Sequence, residues 1–232
     1  MSKGNPQRVW EIDFFRGIAL VLMIIFHFLY DLNEFYGFSV QYNSGIYYYI
    51  GKVSAISFML ISAVSCSFSS GNFKRAVRFL GVALVITIVS HLYNPAFGIK
   101  FGILHFLGTC ILLYPLFKGL HKYILVVLGT MIIVTGRYFS GLPVEHNYLF
   151  LFSLTGSTWV SSDYYPLFPW LGVFLYGIAL GKVLYPRPRS LLRYFRWSKP
   201  LSFIGRHTLS IYLIHQPLLL LLIGIYVKLK GE

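Results

Sequence analysis

Residues 13–31, DFFRGIALVLMIIFHFLYD, decide how the rest of the chain is read. Between Arg16 and His27 the run is wholly apolar, and with its flanks it reaches the ~20 residues an α-helix needs to cross a bilayer. It nevertheless carries Asp13 and Arg16 near one end and His27 and Asp31 towards the other. Ionisable side chains are costly against lipid, so those inside a span are expected to face a bundle interior or a wet cavity. Helical periodicity says which face that is. His27 follows Arg16 by eleven residues, and eleven steps of ~100° return almost to the starting direction. Asp31 lies one turn further, at the i,i+4 spacing where side chains meet. Arg16, Leu20, Met23, His27 and Asp31 therefore form one stripe, predicted to point inward.

The surrounding composition agrees with a membrane protein. The 232 residues are 56% hydrophobic and 12% charged, with 18 tyrosines and 21 phenylalanines, which excludes an ordinary soluble domain. Seven apolar segments emerge, at 14–35, 45–67, 76–93, 101–117, 123–139, 166–185 and 207–227. The fold class is all-α, a polytopic transmembrane bundle of about seven spans. The spans fill nearly the whole chain, so residues 1–232 are expected to form a single domain.

The net charge of +13 raises nucleic acid as a partner, but the placement of the charges argues against it. Lys3 and Arg8 precede the first segment, Lys74, Arg75 and Arg78 lie between the second and third, and Lys118 and Lys122 between the fourth and fifth. Lys182, Arg187, Arg189, Arg193, Arg196, Lys199 and Arg206 lie between the sixth and seventh, while the 33–44 and 140–165 connections contain no Lys or Arg. The positive-inside rule then places the N-terminus in the cytoplasm and the C-terminus outside a cell membrane. The first segment has too long an apolar run for a signal peptide and no small-residue cleavage site after it, so it is expected to stay as the first helix. Cys66 and Cys110 fall within spans and read as small apolar filler rather than a disulfide framework.

Two connections stand out. In 182–206, aromatics interleave with basic residues, and SLLRYFRW (190–197) is predicted to lie on the inner surface as an interfacial helix, where a topology anchor on anionic lipid is the simplest role. In 140–165, YLFLFSL is too short to span and is expected to be interfacial or re-entrant. The DYYPLFPW that follows, with Asp163, either lines a site or packs on the bundle.

Along the first segment, His27 falls ~16 Å and Asp31 ~22 Å beyond Arg16, in the outer half of the membrane. His91 and His105 are expected on that same side, and His215 near mid-membrane beside Pro217, where it has freed backbone carbonyls to bond. A neutral imidazole with a nearby carboxylate is a general base, suited to taking a proton from a hydroxyl or amine that enters from the outer face. His27 and Asp31 are the catalytic candidates, with His105, Asp163 and His215 on the substrate side. Three other readings stand beside this one: an inert interhelical polar clasp, a haem site using His27 and His105, and a small transporter with the stripe as proton relay. No HExxH, CxxC, Walker or GxSxG pattern competes.

The stretches EIDFFRGIALVLMIIFHFLYDL, GILHFLG, DYYPLFPWLGVFLYGIALGK and FIGRHTLSIYLIHQP resemble the heparan-alpha-glucosaminide N-acetyltransferase catalytic-domain family. More distantly they resemble integral-membrane acyltransferases of bacterial surface polysaccharides, whose arginine, ten residues, histidine signature matches Arg16 and His27. The resemblance implies transfer of an acyl group, typically acetyl from cytosolic acetyl-CoA, to an amine or hydroxyl of a sugar or glycan on the far side, with no metal. It implies His27 as the catalytic histidine and Arg16 as a structural or donor-channel partner; Asp31 is added from helical geometry alone. Arg187, Arg189 and Arg206 then gain a second expected task, charge-assisted contacts to the CoA phosphates. The lysosomal relatives are longer, and His105-Phe106 departs from the Gln-Arg of other relatives, which leaves the acceptor open.

Overall fold

The computed structural model describes residues 9–230, so the basic residues Lys3 and Arg8 lie outside the described residues. Eight α-helices form among them: α1 (Trp10–Glu34), α2 (Gly45–Cys66), α3 (Asn72–Tyr93), α4 (Ile103–Phe117), α5 (Lys122–Phe139), α6 (Leu167–Leu184), α7 (Lys199–Arg206) and α8 (Thr208–Lys230). No strand forms among the described residues beyond an isolated bridge between Phe101 and Tyr164. All but α7 coincide with the seven predicted segments. Six are long and apolar enough to cross a membrane, while α4 is a shorter apolar helix of 15 residues, ~22 Å long against a hydrocarbon core of ~30 Å.

The chain divides into two compact units, one holding the described residues up to Ile61 with those from Pro188 onward, the other Ser62–Arg187. In the first unit the predicted stripe of α1 faces inward. Leu20 and Asp31 are fully buried and Met23 is buried, and Ala19, Leu20 and Met23 pack with Phe58 of α2 and with Ile204, Ile211 and Tyr212 of α7 and α8. The Ser54 hydroxyl donates to the Ala19 carbonyl at 2.9 Å and ties α2 to the same face of α1. Helix α7 crosses α1 with backbone almost on backbone: a Cβ on Gly205 would overlap the Asp13 carbonyl, and one on Gly17 would overlap the Leu201 carbonyl.

Helices α1 and α8 run parallel. Their contacts rise together along both chains, from His27 with His215, through Asp31 with Gln216, to Tyr36 just past α1, whose hydroxyl donates to the Leu220 carbonyl.

The segment SLLRYFRW departs from expectation. It is irregular as far as a 3-10 turn at Arg196–Ser198, and the helix comes later, as α7. The reason lies in where its backbone groups go. The Leu191 N–H donates to the buried Glu11 carboxylate at 2.6 Å, and the Leu192 carbonyl accepts from the Trp10 indole at 3.2 Å, so α1 takes bonds that a local helix needs. Pro186 and Pro188 disfavour helix before it, and Pro200 sits in the first turn of α7, where proline is well tolerated. These contacts place the basic connection at the N-terminal end of α1.

In the second unit, Leu125, Gly129, Ile132 and Gly136 form the buried stripe of α5, which packs on α6, with the Thr130 and Tyr176 hydroxyls bonded at 2.8 Å. Helix α4 is buried along most of its length. YLFLFSL yields only a 3-10 turn, Phe150–Phe152. Cys66 and Cys110 are free and buried.

Candidate functional site

The polar stripe of α1 meets α8 at two consecutive residues. His27 Nδ1 lies 2.7 Å from His215 Nε2, and the Gln216 amide donates to Asp31 Oδ1 at 2.6 Å. The imidazoles are tilted by only 20° with centroids 4.9 Å apart. That separation matches one N–N hydrogen bond plus two ring radii, so the rings lie end to end rather than face to face. His215 is buried, and its Nδ1 lies 2.7 Å from the Tyr212 carbonyl. His27 stays partly accessible, and its Nε2 has no hydrogen-bond partner among the described residues.

This pairing differs in detail from the sequence reading. Asp31 bonds Gln216, not His27, and its Oδ2 is buried without a hydrogen bond. The carbonyl that His215 bonds is that of Tyr212, one residue before Leu213, whose i+4 donor Pro217 removes. Gln216 escaped the sequence reading altogether. The signal was present: HQP presents two adjacent polar side chains from one span, and His27 and Asp31 present two at i,i+4 on another. Because His27 and His215 are joined nitrogen to nitrogen, they do not flank a common metal ion.

Arg16 is half-buried and pairs with Asp13 at 3.1 Å, one turn back on α1. Arg189 and Arg206 are exposed in the first unit, Arg206 with its guanidinium 6.0 Å from the Phe203 ring. Arg187 is exposed at the end of the second unit.

His105 and Asp163 both belong to the second unit, each with its own local partners. His105 Nε2 is 3.2 Å from the Thr87 hydroxyl, and the Ile103 N–H donates to Asp163 Oδ2 at 2.8 Å. Asp163 thereby satisfies an orphan donor in the first turn of α4. Burial pushes its carboxyl up to about 6, and the bond from Ile103 offsets this only in part. His91 bonds the Thr87 carbonyl through Nδ1 at 2.9 Å and packs on Gly98, which ties the end of α3 to the loop that follows.

A protein-family model described as heparan-alpha-glucosaminide N-acetyltransferase, catalytic, matches residues 8–217. The chain belongs to that family. Comparison with curated proteins and with solved structures finds no match. As a member of the heparan-alpha-glucosaminide N-acetyltransferase catalytic family, the protein is a multi-pass membrane transferase of the acetyltransferase kind. The matched range runs from the start of α1 to Pro217 and so takes in both sides of the His27–His215 and Asp31–Gln216 contacts.

Proposed function

We propose that the protein moves an acetyl or similar acyl group from cytosolic acyl-CoA to an amine or hydroxyl of a sugar or glycan on the outer face of the cell membrane, with His27 as general base. The observation that carries this reading is the arrangement at His27, on the inward face of α1: one ring nitrogen is held by His215, and the other has no partner among the described residues. A base needs such an uncommitted lone pair within reach of the acceptor proton. In the step itself the acceptor O–H or N–H bond breaks, its proton passes to His27 Nε2, and the freed oxygen or nitrogen bonds the acyl carbon. The C–S bond then breaks, and the sulfur takes the proton from His27 to leave as the CoA thiol.

Asp31 enters through position and charge. It anchors Gln216, the neighbour of His215, and its carboxylate one turn from His27 favours the imidazolium that forms. Arg16, ion-paired to Asp13 towards the N-terminal end, is assigned to the donor side. Arg187, Arg189 and Arg206 are exposed and free to meet the CoA phosphates from the cytoplasm. Two observations support the N-in, C-out orientation: the basic connection lies at the N-terminal end of α1, and α8 runs parallel to α1. On the outer side, His105 and Asp163 are assigned to the acceptor approach.

The test supplies acetyl-CoA and a panel of amino sugars and glycan lipids to the purified protein. His27→Ala is expected to lower turnover about 10²- to 10⁴-fold, the usual worth of a general base. Turnover equal to wild type would remove His27 from the chemistry. In the same assay, neutralising Arg187, Arg189 and Arg206 together is expected to raise the donor KM at nearly constant kcat. An unchanged donor KM would return these residues to topology alone.

A further inference from the structure

We infer that His215 is a positioning residue that fixes which nitrogen of His27 is basic, an inference that rests on the reading of His27 as general base. A chain of donors and acceptors runs from α8 to α1 and begins at a group with no choice. The Tyr212 carbonyl can only accept, so the 2.7 Å contact requires the proton on His215 Nδ1. A carbonyl oxygen has two lone pairs and takes this imidazole N–H in addition to a helical donor. Neutral His215 carries one ring proton, which leaves its Nε2 as a lone pair.

The 2.7 Å contact between that Nε2 and His27 Nδ1 needs one proton between the two nitrogens, and His27 must supply it. Neutral His27 is thereby held as the Nδ1–H tautomer, with the lone pair on Nε2, the nitrogen without a partner among the described residues. Reversing the order would put protons on both nitrogens of His215 and so a full charge on a buried ring.

The same contact serves both halves of the reaction. When Nε2 takes the acceptor proton, His27 becomes an imidazolium whose Nδ1–H still points at the His215 lone pair, and a neutral hydrogen bond becomes a charge-assisted one. When Nε2 releases that proton to the thiolate, the pair returns to its starting state with no ring flip and no net proton change on His215. Gln216, held by Asp31, keeps the adjacent residue of α8 in register with α1, so His215 cannot slide along the stripe without breaking a second bond.

The experiment uses the full-length protein in nanodiscs with 15N-labelled histidine. The His27 resonances are assigned by their loss in His27→Asn, and turnover is measured in parallel. In wild type the His27 signals are expected to report a protonated Nδ1 and an unprotonated Nε2; a protonated Nε2 in the neutral ring overturns the inference, whatever the variants do. His215→Ala is expected to lower kcat about 10- to 100-fold, the usual cost of losing the partner that orients a functional imidazole, with the donor KM nearly unchanged. His215→Gln keeps an acceptor for the His27 N–H and is expected to recover most of that loss. Wild-type kcat in His215→Ala, with His27→Ala inactive, overturns this inference and leaves the general-base reading intact. Wild-type kcat in His27→Ala overturns the reading itself.

Discussion

At the scale of single residues, the question at each buried polar group is which partner wins. Spacing within one helix says which side chains can meet, and for α1 it correctly aligned Arg16, Leu20, Met23, His27 and Asp31. It did not foresee that Asp31 would bond Gln216 and His27 would bond His215, because both partners arrive from a helix more than 180 residues away in sequence. Long-range contacts override an i,i+4 pairing that is worth only ~0.2–0.5 kcal/mol on a helix surface. Asp163 likewise has a partner that spacing along the chain did not announce, 60 residues away. It came forward as a substrate group, and its observed bond is to the first turn of α4. That placement has a pH consequence. Its carboxyl is raised from an ordinary 3.8 to about 6, so the folded state holds its proton over a range where the unfolded chain has lost it. Stability from this residue is therefore fully present below about pH 4, is lost as pH rises towards about 6, and is flat above. Asp163→Asn, which still accepts from the Ile103 N–H, is expected to abolish that fall. Apparent melting temperatures in detergent between pH 4 and 7 check this, and an identical slope in wild type and variant would remove Asp163 as its source.

Among whole elements, the spans were the most legible features, since an apolar run of sufficient length has few alternatives in a chain so poor in charge. The connection 185–198 was not legible by the same route. Its aromatic and basic pattern fits an interfacial helix, yet Glu11 and Trp10 capture its backbone groups, and no local pattern announces a partner on another element. What secures α7 is steric. Gly17 and Gly205 let its backbone meet that of α1, and in each case the atom a Cβ would strike is a main-chain carbonyl that cannot swing aside. Close approach through small residues is how helices associate where lipid removes the hydrophobic drive. Gly205→Ala is therefore expected to cost about 3 kcal/mol or more, at or beyond the upper end of ordinary overpacking. Gly119→Ala, whose added Cβ meets nothing within 4 Å, serves as the control and is expected to leave the melting temperature unchanged. Equal stability of the two variants would mean that α7 does not depend on this crossing.

For the molecule as a whole, the direction of one helix bears on the number of crossings. Helices α1 and α8 run parallel, as their rising contacts from His27 and His215 to Tyr36 and Leu220 require. Two parallel spans of one chain enter from the same face, so an odd number of crossings lies between them. Helices α2, α3, α5, α6 and α8 are each long and apolar enough to cross. If only these followed α1, then α8 would run antiparallel to it. The parity is restored when α4 also crosses, even though its 15 residues fall short of the usual length. A short span is accommodated by local thinning of the bilayer or by flanking residues reaching to the interface, at fractions of a kcal/mol per Å. Lys100 precedes it and Lys118 and Lys122 follow it, well placed for that purpose. The prediction is tested by single cysteines at the exposed positions Ala96 and Gly119, on either side of α4, in a chain whose Cys66 and Cys110 are replaced by serine. A membrane-impermeant maleimide added to intact cells is expected to label Ala96→Cys and to spare Gly119→Cys until the cells are opened. Labelling of both from one side would mean that α4 turns back within the membrane. The parallel run of α1 and α8, and with it the meeting of His27 and His215, would then conflict with the topology of the chain.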